Sequence, residues 1–278
     1  MNTKVIICCH KESLLPQSDF YLPIQVGKAN SDVELGIQGD NTGENISYKN
    51  ASYCELTGMY WAWKNLKDVD VIGLCHYRRF FDFHNQCHRV FPTTEFPISD
   101  FNKKDYSIPN IIVDKVSHGC VVVPKHLTTL PLYLQYNNIH NSDDLRILEK
   151  VVKMESDEKY YRAFLDIIYR NNKMYPFNMF IMNRPLFDEY CSWLFSILDR
   201  VEEQIDISHY SDYQKRNYGF MAERLFNVLL KRNKLPIIEF PILSFSESKL
   251  YNSANSFPRY LLRILALDSI NLITRLRM

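Results

Sequence analysis

Residues 53–83 read YCELTGMYWAWKNLKDVDVIGLCHYRRFFDF, and this stretch decides the fold. Residues 55–66 contain no proline, and Met59, Trp63 and Leu66 recur at spacings of four and three, as a helix facing a core requires. A polar break at 67–70 follows. Val69, Val71, Ile72, Gly73, Leu74 and Cys75 then form an apolar run that fits a short strand covered on both faces. At its exit stand His76, Tyr77, Arg78 and Arg79. Ligands of open α/β sheets bind beyond the carboxyl ends of strands, so these four side chains are a candidate anion site. Solvated arginines at a surface strand end are the other reading of the same residues.

The chain of 278 residues fits one large domain or two small ones. Hydrophobic residues at 46% against 23% charged are enough for a real core. A net charge of +1 gives no global attraction for nucleic acid, so no nucleic-acid partner is expected. Tyrosine (18) and phenylalanine (17) are abundant; such rings suit sugar-binding clefts, and they serve a core equally well. Seven scattered cysteines, most inside apolar runs, fit reduced buried thiols better than a disulfide framework. With no secretory signal and no apolar run of bilayer length, a soluble, cytoplasmic protein is expected.

Outward from the deciding stretch, residues 4–9 (KVIICC) form a first strand that delivers His10 and Lys11 to a polar loop. No Gly-x-Gly-x-x-Gly or Walker-type loop is present, which counts against the usual dinucleotide and ATP sites. Residues 12–50 are polar and turn-rich. Asp40, Asn41, Asn45 and Asn50 there can bind ribose or sugar hydroxyls, or simply make a surface loop. His84, Cys87 and His88 (HNQCH) are metal-ligand types but lack the second half a zinc site needs. Residues 120–124 (CVVVP) read as a strand after His118. His140, Asp143 and Asp144 are catalytic or metal-binding candidates, or a helix cap in which Ser142 or Asp143 is the capping residue. A strand at 176–182 enters through Asn178 and leaves through Asn183. Glu223 and Arg224 interrupt the apolar helix over 218–231, either as a structural pair or as a carboxylate placed for acid–base work. Residues 235–245 read as one last strand, near an edge because of Pro236 and Pro241.

The tail from Tyr260 is different in character. It is leucine-rich, with Arg259, Arg263, Arg275 and Arg277 against the single Asp268. It reads as a basic amphipathic helix that lies on an anionic membrane surface or docks on a partner, with packing on its own domain as the alternative. The order of elements argues for an α/β sandwich with one mixed sheet over 1–250, followed by the tail at 251–278.

The segments DNTGENISYKN, YCELTGMYWAWKN, IGLCHYRRFF, NMFIMNRPLFDEYCSWLF and GFMAERLFNVLL resemble a bacterial family of capsular and exopolysaccharide glycosyltransferases long catalogued as a domain of unknown function. The resemblance covers residues 1 to about 245. It implies a GT-A-like α/β/α sandwich that binds a nucleotide-sugar, with some members linked to galactofuranose transfer. It implies a UDP-sugar donor (UDP-galactose or UDP-galactofuranose) and an acceptor glycan on undecaprenyl diphosphate at the cytoplasmic membrane face. On that reading His10, Asp40, Asn41, Asn45, Asn50, Lys64, His76, Tyr77, Arg78 and Arg79 hold the donor. His118, His140, Asn178 and Arg224 lie on the acceptor side, and Glu223, with Asp143 or Asp144 second, is the base. Where such enzymes usually carry an Asp-x-Asp metal motif, this chain has His76–Tyr77–Arg78–Arg79. Arginine forks can neutralise a diphosphate as a metal does, so no cofactor is required, with Mn or Mg as an alternative through Asp40, Asp143 and Asp144. A non-catalytic nucleotide- or glycan-binding scaffold, and a sugar-phosphate phosphotransferase or hydrolase, are the competing functions.

Overall fold

The computed structural model describes residues 1–87, 91–247 and 257–276, with side chains from 261 onward in the last stretch. The chain forms two compact units. One holds Met1–Lys125, Phe177–Ser192 and Leu235–Leu250; the other holds His126–Pro176, Trp193–Lys234 and Tyr251–Met278. The single domain expected over 1–250 is thus interrupted twice, and the helical tail counts with the second unit.

The first unit opens with β1 (Thr3–Cys9), β2 (Tyr21–Gln25) and the two-residue β3 (Gln38–Gly39). A single turn, α1 (Asn50–Tyr53), leads into α2 (Leu56–Asn65). Next come β4 (Val71–His76), β5 (Arg79–Phe81), β6 (Thr93–Pro97), α3 (Asn110–Ser117) and β7 (Val121–Pro124). The second unit begins with β8 (Leu127–Thr128), α4 (Leu132–Ile139), α5 (Ser142–Glu155), α6 (Glu158–Arg170) and β9 (Lys173–Met174). The chain returns to the first unit for β10 (Phe180–Asn183) and the start of α7 (Arg184–Glu202). Then follow α8 (Asn217–Asn233) in the second unit, β11 (Ile237–Phe240) and β12 (Ile242–Ser246) in the first, and α9 (Phe257–Leu276) in the second.

The sheet of the first unit runs β11-β7-β10-β4-β1-β2-β3. β1 is parallel to both β2 and β4, whereas β10 lies antiparallel between β4 and β7. The near-continuous apolar runs of β1 and β4 fit this central position, where both faces are covered. A ladder of β5, β12 and β6 branches from the end of β4, where His76 pairs with Arg79. Phe80 is fully buried beneath it, its ring within 6.3 Å of those of Tyr21, Phe101, Tyr106 and Phe245. Much of the aromatic wealth therefore builds core rather than a sugar cleft. All seven cysteines are free and five are buried.

Gly73 shows how tightly the centre is packed. A Cβ there would sit 2.9 Å from both the Phe180 carbonyl oxygen and Ile181 Cγ1. Because backbone cannot give way cheaply, Gly73→Ala is expected to cost about 1–3 kcal/mol, measured as a lowered urea midpoint with an unchanged slope.

Two expectations change. Residues 12–50 contain β2, hidden because Pro23 interrupts its apolar run. β3 pairs only with Ile24 and Gln25, so at Pro23 the far side of β2 has no neighbour, a place where a sheet tolerates proline. The last strand is two: Pro241 ends β11 at the edge beside β7, and β12 turns away to β5 and β6.

Candidate active site at the carboxyl edge of the sheet

After β1 the chain builds β2 on one side, and β4 later pairs on the other. This reversal of strand order is the topological switch point at which open α/β sheets bind ligands. Cys8 pairs with His76 in the last register position of β1 and β4, so residues 10–11 and 77–78 leave the sheet side by side. A cleft of about 340 Å³ opens there, lined by Lys11, Ser13, Tyr77, Arg78, Ile98 and Glu247 among others. The Tyr77 ring is its platform. His10 meets it edge-on at 4.9 Å, and the Arg78 guanidinium lies 5.0 Å from its centroid. The Glu247 carboxylate, 71% exposed, reaches Arg78 at 3.4 Å and Lys11 at 3.9 Å. A single acidic group thus bridges the two cations.

A second cluster stands at the same edge. His76 Nε2 lies 2.7 Å from the Phe177 carbonyl oxygen, so that nitrogen carries the proton and donates it. The Arg79 guanidinium lies over the Phe177 ring at 4.5 Å. Asn178, 2% exposed, donates through Nδ2 to Glu55 Oε1 at 2.7 Å. Glu55 is half-buried at the start of α2, its own carbonyl taking the Cys8 thiol at 3.6 Å. Cys54, Phe177 and Asn178 have φ of 52°, 73° and 53°. Left-handed backbone at non-glycine residues costs on the order of 1–3 kcal/mol each and concentrates at functional sites. Here all three flank one carboxylate and its amide partner.

The loop residues expected to hold the donor are mostly fasteners. Asp40 is fully buried; it accepts from the Gly27 and Lys28 backbone N–H groups at 2.9 and 3.1 Å and from the Ser47 hydroxyl. With both oxygens occupied it has no face for a sugar or a metal. Asn45 bonds Gly43 and Ser47 within its own loop, and Asn50 bonds Cys54 and Thr57. Lys64 pairs with Glu44 at 2.9 Å and covers the Trp63 ring at 4.0 Å, which ties the loop to α2. Asn41 is exposed, its side chain folded over Gly39. His118 is 76% exposed at the end of α3, where it meets the Asp114 carbonyl oxygen. Because it precedes β7, which runs parallel to β4, it lies at the opposite end of the sheet from His76. The acceptor role expected for it does not fit that position.

The remaining candidates belong to the second unit. Asn141, not Ser142 or Asp143, caps α5 by accepting from the Asp143 N–H at 3.1 Å. Asp143 is exposed and paired with Arg146 at 2.8 Å. Asp144, 2% exposed, accepts from the Tyr210 hydroxyl at 2.7 Å and from Asn217, and burial raises its pKa above the usual range. Glu223 leans on Arg224 at 3.4 Å; Arg224, 1% exposed, also donates to the Phe220 carbonyl and to Gln135. The pair interrupts the apolar pattern of α8 because it anchors that helix to α4. His140 stacks on Phe220 at 4.1 Å, and burial, with Arg224 nearby, pushes its pKa down to about 4.

His140 gives the second unit an acid-sensitive point. The unfolded chain takes up its proton near pH 6.5 while the folded unit resists until about pH 4. Stability at pH 7 is therefore complete and falls as pH drops through that window. His140→Gln is expected to flatten the loss between pH 6.5 and 4, read as thermal midpoints across the range.

The end of β4 does not fit a divalent ion. It offers two arginines and a histidine whose Nε2 is protonated, a donor set for phosphate. Among the described residues no three of His, Cys, Asp and Glu gather to hold a metal. In HNQCH, His84 meets the Ser107 carbonyl at 2.9 Å, the Cys87 thiol is buried against Ile242, and His88 lies outside the described residues.

A family model described as a domain of unknown function, DUF4422, matches residues 4–234. The chain belongs to this family. The DUF4422 match contains β1 to α8, hence both clusters except Glu247, and stops before β11, β12 and α9. No curated protein matches the chain. The solved apo structure of the bifunctional glycosyltransferase WbbM is similar over 88% of this chain, at 31% identity and a TM-score of 0.81. The DUF4422 chain spans about half of that protein, 46% of its length. Its architecture, a mixed sheet with flanking helices in an α/β arrangement, is that of a glycosyltransferase structure.

Sequence reasoning named the arginines but gave no site role to Glu55, Phe177, Lys11 or Glu247. Glu55 shows in sequence only as the first polar residue of a helix. Its role depends on the positive φ of Cys54 and on Asn178, 123 residues away, and neither leaves a sequence signal.

Proposed function

We propose that this DUF4422 protein is a glycosyltransferase that moves a sugar from a nucleotide-sugar to a glycan acceptor. The observation that carries the reading is the convergence of Lys11, Tyr77 and Arg78 at the β1/β4 switch point, beside a carboxylate held by Asn178. The similarity to WbbM supports the reaction class. We further propose a UDP-sugar donor, galactose or galactofuranose, and a lipid-linked acceptor of the undecaprenyl diphosphate type in capsular, exopolysaccharide or O-antigen synthesis.

In this reading the diphosphate displaces Glu247 from Arg78 and Lys11, and the Tyr77 ring supports the nucleotide. The bond from the anomeric carbon to the diphosphate oxygen breaks as the acceptor oxygen attacks. The leaving nucleoside diphosphate takes the bonding pair, and the two cations neutralise it, so no metal is required. Glu55 takes the acceptor hydroxyl proton. This moves the base from Glu223, Asp143 and Asp144, each already engaged inside the second unit, to a carboxylate at the ligand-binding edge. The test is donor consumption with and without acceptor glycan. Nucleotide release only with acceptor supports transfer; equal release without it would make the protein a sugar-phosphate hydrolase, and none at all a binding scaffold.

A further inference from the structure

We propose that the outer face of α9 docks on an anionic lipid bilayer. One side of the tail packs on its own unit and the other side is open. Ile264, Leu267, Asn271 and Thr274 are half-buried along the side turned to its own unit. Asp268, the only acidic residue of the helix, is drawn to that side too, accepting from Asn172 Nδ2 at 2.8 Å. At 3.6 residues per turn, Leu261, Leu262, Leu265, Leu272, Ile273 and Leu276 align on the opposite side. Their exposure runs from 46% at Leu261 to 79% at Leu276. Arg263 and Arg275 are exposed as well and lie outside this stripe.

An exposed apolar stripe of this extent marks a docking surface, and three observations select its occupant. The one hydroxyl within the stripe, Ser269, donates back to the Leu265 carbonyl oxygen at 2.8 Å, so the stripe offers a folded partner no free side-chain donor. That suits fluid hydrocarbon. A second copy meeting the stripe isologously would double the tail's excess of arginine over acid at one contact, at a cost in like-charge repulsion. An anionic headgroup layer instead attracts a tail that carries four arginines against one aspartate. No helix among the described residues is long and apolar enough to cross a membrane.

The experiment is flotation of the full chain with phosphatidylcholine vesicles, with and without phosphatidylglycerol, at low and high salt. The protein is expected to float with the anionic vesicles at low salt and to be released by high salt. Arg263→Gln with Arg275→Gln should weaken binding roughly 25-fold, at about five-fold per arginine near an anionic surface. Leu265→Gln with Leu272→Gln should abolish it, with the circular dichroism melt of both variants unchanged. Failure of the wild type to float, equal binding to neutral vesicles, or undiminished binding by the arginine variant would overturn the proposal. So would self-association in sedimentation equilibrium that the leucine variant removes, since the face would then belong to a second copy. Vesicle binding is read without turnover, so its failure leaves the transfer reading untouched.

Discussion

Glu55→Gln is expected to lower turnover by about 10²–10⁴-fold, the usual worth of a positioned general base, with the donor KM changed only a few-fold. The amide keeps the size of the side chain and can still meet Asn178, so the fold and the donor cleft should be intact. What it loses is the ability to take a proton from the acceptor hydroxyl. Asn178 acts through Glu55, since its Nδ2 fixes one carboxylate oxygen at 2.7 Å. Glu223→Gln is the comparison. Its carboxylate leans on the buried Arg224, so its loss should appear in stability before turnover. If Glu223→Gln abolished transfer while Glu55→Gln kept full turnover, the assignment to Glu55 would be wrong.

Arg78→Ala is expected to raise the donor KM about 10–100-fold, since a hydrogen bond to a charged group is worth roughly 1.5–3 kcal/mol. Its side chain is two-thirds buried and already paired with an exposed carboxylate, an ion pair that contributes little to stability in itself. The fold should therefore survive the change, which places the loss in binding. Arg78→Lys should restore only part of it, because an ammonium cannot form the bidentate fork on phosphate. Raising the salt concentration should weaken donor binding in the wild type more than in Arg78→Ala. A KM unchanged by Arg78→Ala would remove the diphosphate from this cleft.

The sheet centre was legible because its strands obey simple periodicity. β4 and β1 are continuous apolar runs, and the polar cluster at the exit of β4 stands where a ligand edge should be. The tail was legible as a helix, but its open apolar side was not, because only packing tells which side is taken. β2 was lost to Pro23, whose tolerance depends on how far β3 extends. Asp40 looked like a sugar ligand, since a sequence cannot show that two backbone N–H groups and a hydroxyl already fill its carboxylate. Glu55 was passed over for the opposite reason. Its meaning lies in a bond between residues far apart in sequence, held by backbone at Cys54, Phe177 and Asn178 in a conformation that those residue types do not announce.

The measurement that bears most directly on the central claim is calorimetric titration of UDP into the wild-type protein in the presence of EDTA, repeated with manganese. A diphosphate held by Arg78 and Lys11 predicts saturable binding in EDTA, with an affinity that manganese leaves within a few-fold. Binding only when manganese is present, or no binding of UDP, GDP or dTDP in either condition, would contradict it.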